Sequence, residues 1–166
     1  TDAFRIALVV GNTPGTSLAL DVNRIKGYKN FANKIWNANK FVMMNTQDFN
    51  VGTKVSLSTE QKKNLTELKT VVKEMTVLMD EFKFYIAAEQ IYHYFWHTFC
   101  DKIIEESKKD LADAQLRAGA QHMLMEILAT SMKLLHPFMP FITEEIYQVL
   151  PIKDKQVCLM IETWPK

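Results

Sequence analysis

The sequence predicts an all-α protein, a helical bundle of four to five main helices with a short extended tail at the C-terminus. Three observations lead to this fold class. Hydrophobic residues make up 48% of the 166 residues while Gly and Pro number only five each, a balance typical of helix-rich globular domains. Apolar residues recur at three- and four-residue spacing over long segments, as amphipathic helices require. Proline-containing and turn-rich stretches separate those segments.

The first helices follow from local signals. Residues 1–10 have the pattern of the end of a helix, and residues 11–20, which contain Pro14 and two glycines, are predicted to form a loop. Asp21 is a suitable N-cap for a long helix over residues 22–44. A turn-rich connection follows. We therefore expect the bundle proper to begin at residue 21, after the end of a linker.

The later helices are predicted in the same way. Ser58 and Gln61 form a capping-box pattern at the start of a third helix. A fourth helix over residues 84–108 is apolar and aromatic around most of its circumference, so we expect it to be the buried centre of the bundle. The fifth helix is predicted over residues 111–136, because the "HPFMP" stretch that follows cannot continue it.

A short helix is predicted through "TEEIYQVL", ending at Pro151. Glu144 and Glu145 fall in its expected first turn, where negative charge offsets the helix dipole. Residues 152–166 are predicted to be either one edge strand or an extended strap. The expected division is thus a linker end over 1–20, a helical bundle over 21–151 and a C-terminal strap over 152–166.

Composition limits the possible functions. The net charge of +1 gives no overall attraction to nucleic acids or membranes, so any basic surface must be local. No apolar stretch reaches the ~18 residues of a membrane span, and we expect no membrane partner. Cys100 and Cys158 lack CxxC spacing, which favours buried free thiols in a cytoplasmic protein. The helical pattern begins at Thr1, so we expect the chain to be a piece of a longer protein.

A local basic surface is predicted on the helix over residues 22–44. Residues 21–45 carry five cationic side chains and one carboxylate, a charge of +4, which leaves about −3 for the rest of the chain. On a helical wheel, cationic and amide side chains share one stripe and Asn39 falls on the opposite, apolar side together with Trp36. The stripe consists of Lys26, Lys29, Asn30, Asn33, Asn37 and Lys40, with Lys34 and Phe41 at its edge.

This stripe has two interpretations. One is a solvated helix face. However, asparagine is a poor helix former, and solvated faces are usually built from Glu, Lys, Gln and Arg. Asparagine offers a donor and an acceptor to base edges, lysine can hold phosphates, and Phe41 can provide a stacking surface. The composition of the stripe therefore indicates single-stranded RNA as the second possibility.

Other candidate sites are weaker. Glu89, His93, His97 and Asp101 are spaced by four and could line one face like metal ligands, but the HExxH pattern is absent. We expect them instead to be polar groups satisfied inside the bundle. No P-loop, GxGxxG or nucleophile with a nearby base is present in the sequence. We predict no catalytic residue, no metal and no cofactor in this domain.

Three stretches resemble the anticodon-binding domain of the valyl-tRNA synthetase family, which are class I aminoacyl-tRNA synthetases. They are "GNTPGTSLALDVNRIKGYKNFANKIWNANKFVMMN", "AAEQIYHYFWHTFCDKIIEESK" and "LLHPFMPFITEEIYQVLP". The resemblance spans almost the whole chain. It implies an α-helical bundle that binds the anticodon stem and loop of tRNA(Val) and contacts a catalytic domain upstream, where the ATP site would lie. This domain would then be a non-catalytic part of a valine-tRNA ligase, and we expect a monomer.

Within the resembling families, a motif of the form NKxWN, followed by a basic residue and FV, favours the valine enzyme over its isoleucine, leucine and methionine relatives. It is formed here by Asn33, Lys34, Trp36, Asn37, Lys40, Phe41 and Val42. Lys29 and Lys40 stand where the family often has arginine, which favours phosphate contact over bidentate base reading. Two alternatives remain open: the same module of an isoleucine-type synthetase, and a helical protein-interaction domain.

Overall fold

A computed structural model describes residues 1–11, 15, 17, 21–50, 52 and 54–166. Its helices are α1 (Asp2–Val9), α2 (Val22–Asn45), α3 (Thr59–Asp80), α4 (Phe84–His93), α5 (Ile104–Ala112), α6 (Arg117–Leu135) and α7 (Pro140–Val149). A π-helical segment (Tyr94–Ile103) joins α4 to α5, and a 3-10 turn covers Leu159–Ile161. No strand occurs among the described residues, so the all-α prediction is confirmed. Within those ranges, no helix combines the length and the apolar character that crossing a membrane requires.

The N-terminal ends of the two long helices are fixed as the sequence predicts. The Asp21 carboxylate accepts a 2.9 Å hydrogen bond from the backbone of Asn23 at the start of α2. At the start of α3, the Ser58 hydroxyl and the Gln61 side chain cap each other's backbone. Both caps satisfy backbone N–H groups that have no partner within the helix. The predicted loop over residues 11–20 lies largely outside the described residues.

Helix α6, and not the fourth predicted helix, lies at the centre of the bundle. Twelve of its 19 residues are buried, and it packs against α2, α3, α4, α5 and α7. The expectation that the aromatic segment over 84–108 is the most buried is therefore wrong. Its aromatic side chains pack against α2, while another side of the same segment faces solvent, where Glu89 and His97 are exposed.

The fourth predicted helix is one unbroken helical rod with a change of hydrogen-bonding pattern in its middle. Residues 94–103 are π-helical, between α-helical turns on either side, which the periodicity of apolar residues did not predict. Here Phe31 of α2 packs against three aromatic rings of the rod. The distances between ring centroids are 4.7 Å to Tyr92, 5.9 Å to Trp96 and 6.1 Å to Phe95. A π segment places one more residue in each turn and is frequent at functional sites.

The predicted start of the fifth helix at residue 111 is also wrong. Leu111 is buried near the end of α5, and α6 begins six residues later. Between them the Asp113 carboxylate accepts a 2.8 Å hydrogen bond from the backbone of Gln115. Such a bond closes an Asx turn, which competes locally with helix continuation. The turn reverses the chain and allows α6 to pack against α5.

Helix α7 begins at Pro140, earlier than predicted, so Glu144 and Glu145 lie in its second turn. The negative charge at its first turn comes instead from α1. The Asp2 carboxylate is buried and accepts hydrogen bonds from the backbone of Phe141, at 3.2 Å, and of Ile142, at 2.7 Å. Because these donors are the orphan N–H groups of a helix start, Asp2 joins α1 to α7. The boundary predicted at residue 21 stays a prediction.

The C-terminal residues follow the strap alternative and form no strand. Trp164 donates a 2.8 Å hydrogen bond from its indole Nε1 to the Thr76 hydroxyl on α3. The Glu162 carboxylate accepts from the Tyr147 hydroxyl at 2.5 Å and from Lys133 Nζ at 2.9 Å. These bonds tie the strap to α3, α6 and α7. They also lower the pKa of Glu162 to about 2, with the Tyr147 bond as the main cause.

Candidate nucleic-acid interface

One side of α2 forms an exposed polar surface, which we call the α2 stripe. It consists of Lys26, Lys29, Asn30, Asn33, Asn37 and Lys40, all of them exposed. Within the part of the chain that the structure describes, none of these six side chains makes a hydrogen bond or an ion pair. Their donors and acceptors are thus available to a ligand.

The opposite side of α2 holds the stripe in position. Phe31, Ile35 and Val42 are fully buried in the core. Asn39 is 4% exposed, as the helical wheel predicts, and its side-chain oxygen has no hydrogen-bond partner among the described residues. The helical wheel also places Trp36 on the apolar side, but this side chain is 37% exposed. With large side chains anchored on one face, α2 cannot rotate about its axis, and the stripe faces outward.

Lys34 lies at the edge of the stripe and differs from the other lysines. It is half-buried, its Nζ is 2.7 Å from an Asp101 carboxylate oxygen, and it lies over the Trp96 ring at 5.7 Å from the centroid. The hydrogen bond with Asp101 raises the pKa of Lys34 and lowers that of Asp101. Lys34 therefore already has a protein partner, and a phosphate would have to compete with Asp101 for it.

Phe41, at the other edge of the stripe, is half-buried against the core. Lys108 of α5 lies over its ring, with Nζ 5.9 Å from the centroid. The same ammonium group donates to both carboxylate oxygens of Glu105 at 2.7 Å. The face that the sequence offered for base stacking is thus covered by a lysine in this structure, and stacking on Phe41 stays a prediction.

A cleft of about 190 Å³ separates this part of α2 from the π segment and α5. Its apolar floor is formed by Ala38, Phe41, Cys100 and Ile104. Its polar rim is formed by Lys34, Asn37, Glu105 and Lys108. Burial raises the pKa of the Cys100 thiol to about 12, so this sulfur contributes an uncharged surface to the floor.

The second side of the cleft was missed by sequence reasoning. Asp101 is 67 residues from Lys34 in the chain, and nothing in the local pattern of α5 indicates that Glu105 and Lys108 face α2. The sequence predicts that the column of Glu89, His93, His97 and Asp101 consists of polar groups inside the bundle, and this prediction is wrong because all four residues are exposed.

All four side chains of this column are exposed, and Asp101 contacts Lys34 of α2. The His93 and His97 rings stack with their centroids 5.6 Å apart, and His97 Nδ1 is 3.4 Å from Asp101. The described residues include no cluster of three or more His, Cys, Asp or Glu side chains arranged to hold a metal ion. The column therefore reaches α2 through Asp101, while Glu89 and His93 border the groove between α3 and α4.

Comparison with known proteins yields a family model and many similar sequences. The model described as the anticodon-binding domain of tRNA ligase matches residues 61–166. A valine-tRNA ligase of Thermotoga maritima is 41% identical over 99% of this chain. Those of Carboxydothermus hydrogenoformans and Syntrophotalea carbinolica are 41% and 42% identical over 99% and 96% of it. The chain spans about a fifth of the length of these relatives, 19%, 19% and 18% respectively.

Proposed function

Because the chain belongs to the family of anticodon-binding domains of tRNA ligases, we propose that it binds the anticodon loop of tRNA(Val) as part of a valine-tRNA ligase. The parent enzyme would activate valine with ATP and esterify it to the tRNA in the cytoplasm. This domain would do no chemistry and need no cofactor. By holding the anticodon end as a monomer against the catalytic domain, it would orient the acceptor end toward the active site.

The observation that carries this proposal is the α2 stripe. Its cationic and amide side chains are exposed and unpaired within the described residues, while the other face of the helix is fixed in the core. Unstacked loop bases present polar edges that amides can hydrogen-bond, and lysines bind the phosphates between them. In the proposed complex Asn30, Asn33 and Asn37 meet bases and the stripe lysines meet phosphates.

Specificity for valine is supported by the relatives. The three named above are all called valine-tRNA ligases, and they match α2 as well as the helices that the family model covers. The alternative, a module of an isoleucine-type synthetase, predicts tighter binding of an isoleucine anticodon loop than of a valine anticodon loop. A pair of anticodon hairpins with the same stem, one carrying a valine and the other an isoleucine anticodon, separates these two proposals.

The test is salt-dependent binding of the valine hairpin, measured by fluorescence anisotropy. Each phosphate contacted on a single strand contributes a slope of about −0.7 to the plot of log affinity against log salt. A double change, Lys29→Glu and Lys40→Glu, should weaken binding more than tenfold at low salt and make the slope shallower, since it removes two phosphate contacts and adds two repulsive charges.

The matched control reverses two lysines on α3, Lys62→Glu and Lys69→Glu. Both are exposed like the stripe lysines but lie on another helix. This variant has the same change of net charge, so equal losses in the two variants would show a general charge effect and overturn the assignment to α2. If the affinity of the wild-type chain for the hairpin did not fall with increasing salt, the proposal of RNA binding itself would be contradicted.

Such salt-independent binding would instead favour a protein-interaction domain. The surface it would use is an apolar groove of about 840 Å³ between α3 and α4. The groove is lined by Val77, Leu78 and Ile86, of which Val77 is 50% exposed. Apolar docking in this groove should respond little to salt, because no condensed counterions are released.

A further inference from the structure

A polar cavity of about 240 Å³ lies between the start of α3 and one side of α5. That side of α5 carries Glu106 and Asp110, and it points away from the cleft against α2, which Glu105 borders. The cavity has the volume of about eight waters at ~30 Å³ each. It is therefore separate from the α2 stripe and plays no part in the proposed binding of RNA.

Three carboxylates line this cavity, and among the residues that the structure describes no cationic side chain does. They belong to Glu60, Glu106 and Asp110. Glu60 is 3.3 Å from Lys63 Nζ, and both of these side chains are more than half exposed. Glu106 and Asp110 form no ion pair within the described ranges. The cavity thus carries negative charge that the chain leaves largely uncompensated.

The positions of Glu106 and Asp110 are unfavourable for α5 by itself. The two carboxylates are four residues apart on one helix face, where like charges repel each other. Asp110 also lies in the last turn of α5, where the helix dipole favours cations over anions. The Gln61 side chain donates a 2.8 Å hydrogen bond to one oxygen of Asp110 but brings no charge. A cation bound between the two carboxylates would relieve both unfavourable interactions.

A buried amide in the lining of the cavity lacks a hydrogen-bond donor. Asn64 lines the cavity and is only 3% exposed. Its Nδ2 donates a weak 3.6 Å bond to the Met123 sulfur, whereas its Oδ1 is buried without a partner among the described residues. A buried carbonyl oxygen without a donor costs free energy, which a donor from a ligand would recover. Asn64 therefore points to a ligand that donates hydrogen bonds.

The lining of the cavity favours a primary ammonium group over a metal ion. Among the described residues, no three His, Cys, Asp or Glu side chains are arranged to hold a metal, so the three carboxylates are spread around the cavity. An ammonium group has three N–H donors, one for each of Asn64, Glu106 and Asp110. Ile103 and Met123 add apolar surface to the same cavity, against which an alkyl chain packs. A hydrated metal ion gains nothing from that surface.

We propose that the cavity between α3 and α5 is a binding site for a primary alkylammonium group. The ammonium donates hydrogen bonds to Asn64 Oδ1 and to the carboxylates of Glu106 and Asp110, and its alkyl chain lies against Ile103 and Met123. Free polyamines and the lysine side chains of a partner protein both carry this group. The site goes beyond the proposed function and does not depend on it, because it contains no residue of the α2 stripe.

The test is an NMR titration of the whole 166-residue chain with n-butylammonium chloride at constant ionic strength. Binding should produce saturable shifts at the Asn64 side-chain amide and at the backbone amides of Glu106 and Ser107. Tetramethylammonium chloride is the control cation, since it has the same charge but no N–H donor. Equal shifts with both cations would overturn the site as a general charge effect. The absence of a saturable shift with n-butylammonium would overturn it too, because water alone would then fill the cavity. Saturable shifts at the same amides with magnesium chloride alone would overturn the choice of an ammonium group.

Two variants test the residues of the site. Glu106→Gln should weaken n-butylammonium binding about tenfold, since one charge-assisted hydrogen bond is lost. Its matched control is Glu145→Gln, the same change of charge at an exposed position on α7, which should stay within about twofold of wild type. Asn64→Leu should also weaken binding about tenfold without lowering the midpoint of thermal unfolding, because the oxygen that it removes has no partner in the fold. The proposal fails if Glu106→Gln binds like wild type, if both glutamate variants lose affinity equally, or if a folded Asn64→Leu protein keeps full affinity.

Putrescine, a diamine, separates the two sources of the ammonium group. A free polyamine as ligand predicts that putrescine binds more tightly than n-butylammonium by more than the statistical factor of about two, because Glu60 attracts the second ammonium group. A ratio at or below that factor indicates a lysine side chain of a partner protein. Either ratio supports the site. Neither measurement involves RNA, so the failure of this site and the failure of hairpin binding are separate outcomes.

Discussion

Charged side chains are arranged differently in the C-terminal strap and on the α2 stripe. In the strap, Glu162 is bound by Lys133 and Tyr147, and its side chain is only 12% exposed. On the stripe, Lys29 and Lys40 are exposed and have no partner among the described residues. A charge satisfied within the chain stabilises one conformation, whereas a charge left in solvent contributes little to folding and remains free for a ligand.

The same contrast occurs between the two faces of α2. Ile35 is fully buried, while Asn33, two residues earlier, is exposed. One face thus connects the helix to the core, and the other carries side chains that cost helix stability without a contact in return. Residues on the buried face therefore determine folding, whereas residues on the exposed face are available for binding.

The largest expected effect is at the buried face of α2. Ile35→Ala should lower the free energy of unfolding by about 2–5 kcal/mol, because it removes buried methyl groups and leaves a cavity. Urea denaturation followed by circular dichroism measures this loss. At a urea concentration where the variant is still folded, its affinity for the anticodon hairpin should equal that of wild type. Lost affinity with unchanged stability would reverse the roles assigned to the two faces.

An intermediate effect is expected in the strap. Glu162→Gln should lower the free energy of unfolding by about 1–3 kcal/mol, since it leaves Lys133 without a carboxylate partner and weakens the Tyr147 bond. Glu145→Gln is the control, because Glu145 is an exposed carboxylate on α7 with no partner among the described residues. Equal stability of the two variants would show that the strap bonds do not stabilise the fold.

Acid should release the strap in a defined pH range. The pKa of Glu162 is lowered to about 2 by its bonds to Tyr147 and Lys133, below about 4.3 for an unfolded glutamate. Its stabilising contribution is therefore complete above the unfolded pKa and is lost as the pH falls toward about 2. The protection of the backbone amides of residues 156–166 against hydrogen exchange, relative to the intrinsic rate at each pH, should fall over this range in wild type. In Glu162→Gln the same amides should already be less protected at neutral pH and should lose less protection on acidification.

The smallest change in stability is expected on the stripe. Asn33→Ala should raise the free energy of unfolding by roughly 0.5 kcal/mol, because alanine is the better helix former and no contact is lost. It should also weaken binding of the anticodon hairpin, which anisotropy measures. A destabilised variant would mean that Asn33 has a structural role, and unchanged hairpin affinity would remove it from the binding surface.

Local features of the fold were accessible from the sequence. The caps at Asp21 and Ser58, the outward direction of the α2 stripe and the burial of Asn39 follow from periodicity and from backbone groups that need partners. The change to π-helical geometry after His93 and the turn at Asp113 did not follow. The π-helical geometry depends on how aromatic side chains meet other helices, and a local pattern does not contain that information. The Asx turn at Asp113 is local, but the periodicity of apolar residues does not register it.

The candidate site divides in the same way. The sequence by itself determined which side chains α2 presents to solvent, because a helix of known phase has only one polar side. Only the tertiary structure decided that Lys34 is paired with Asp101, that Lys108 covers Phe41, and that Glu105 stands across the cleft from Asn37. The physical reason is distance along the chain, because the residues that face Lys34, Phe41 and Asn37 come from a second helical segment. The packing of Phe31 against Tyr92 and Trp96 sets where that segment lies beside α2.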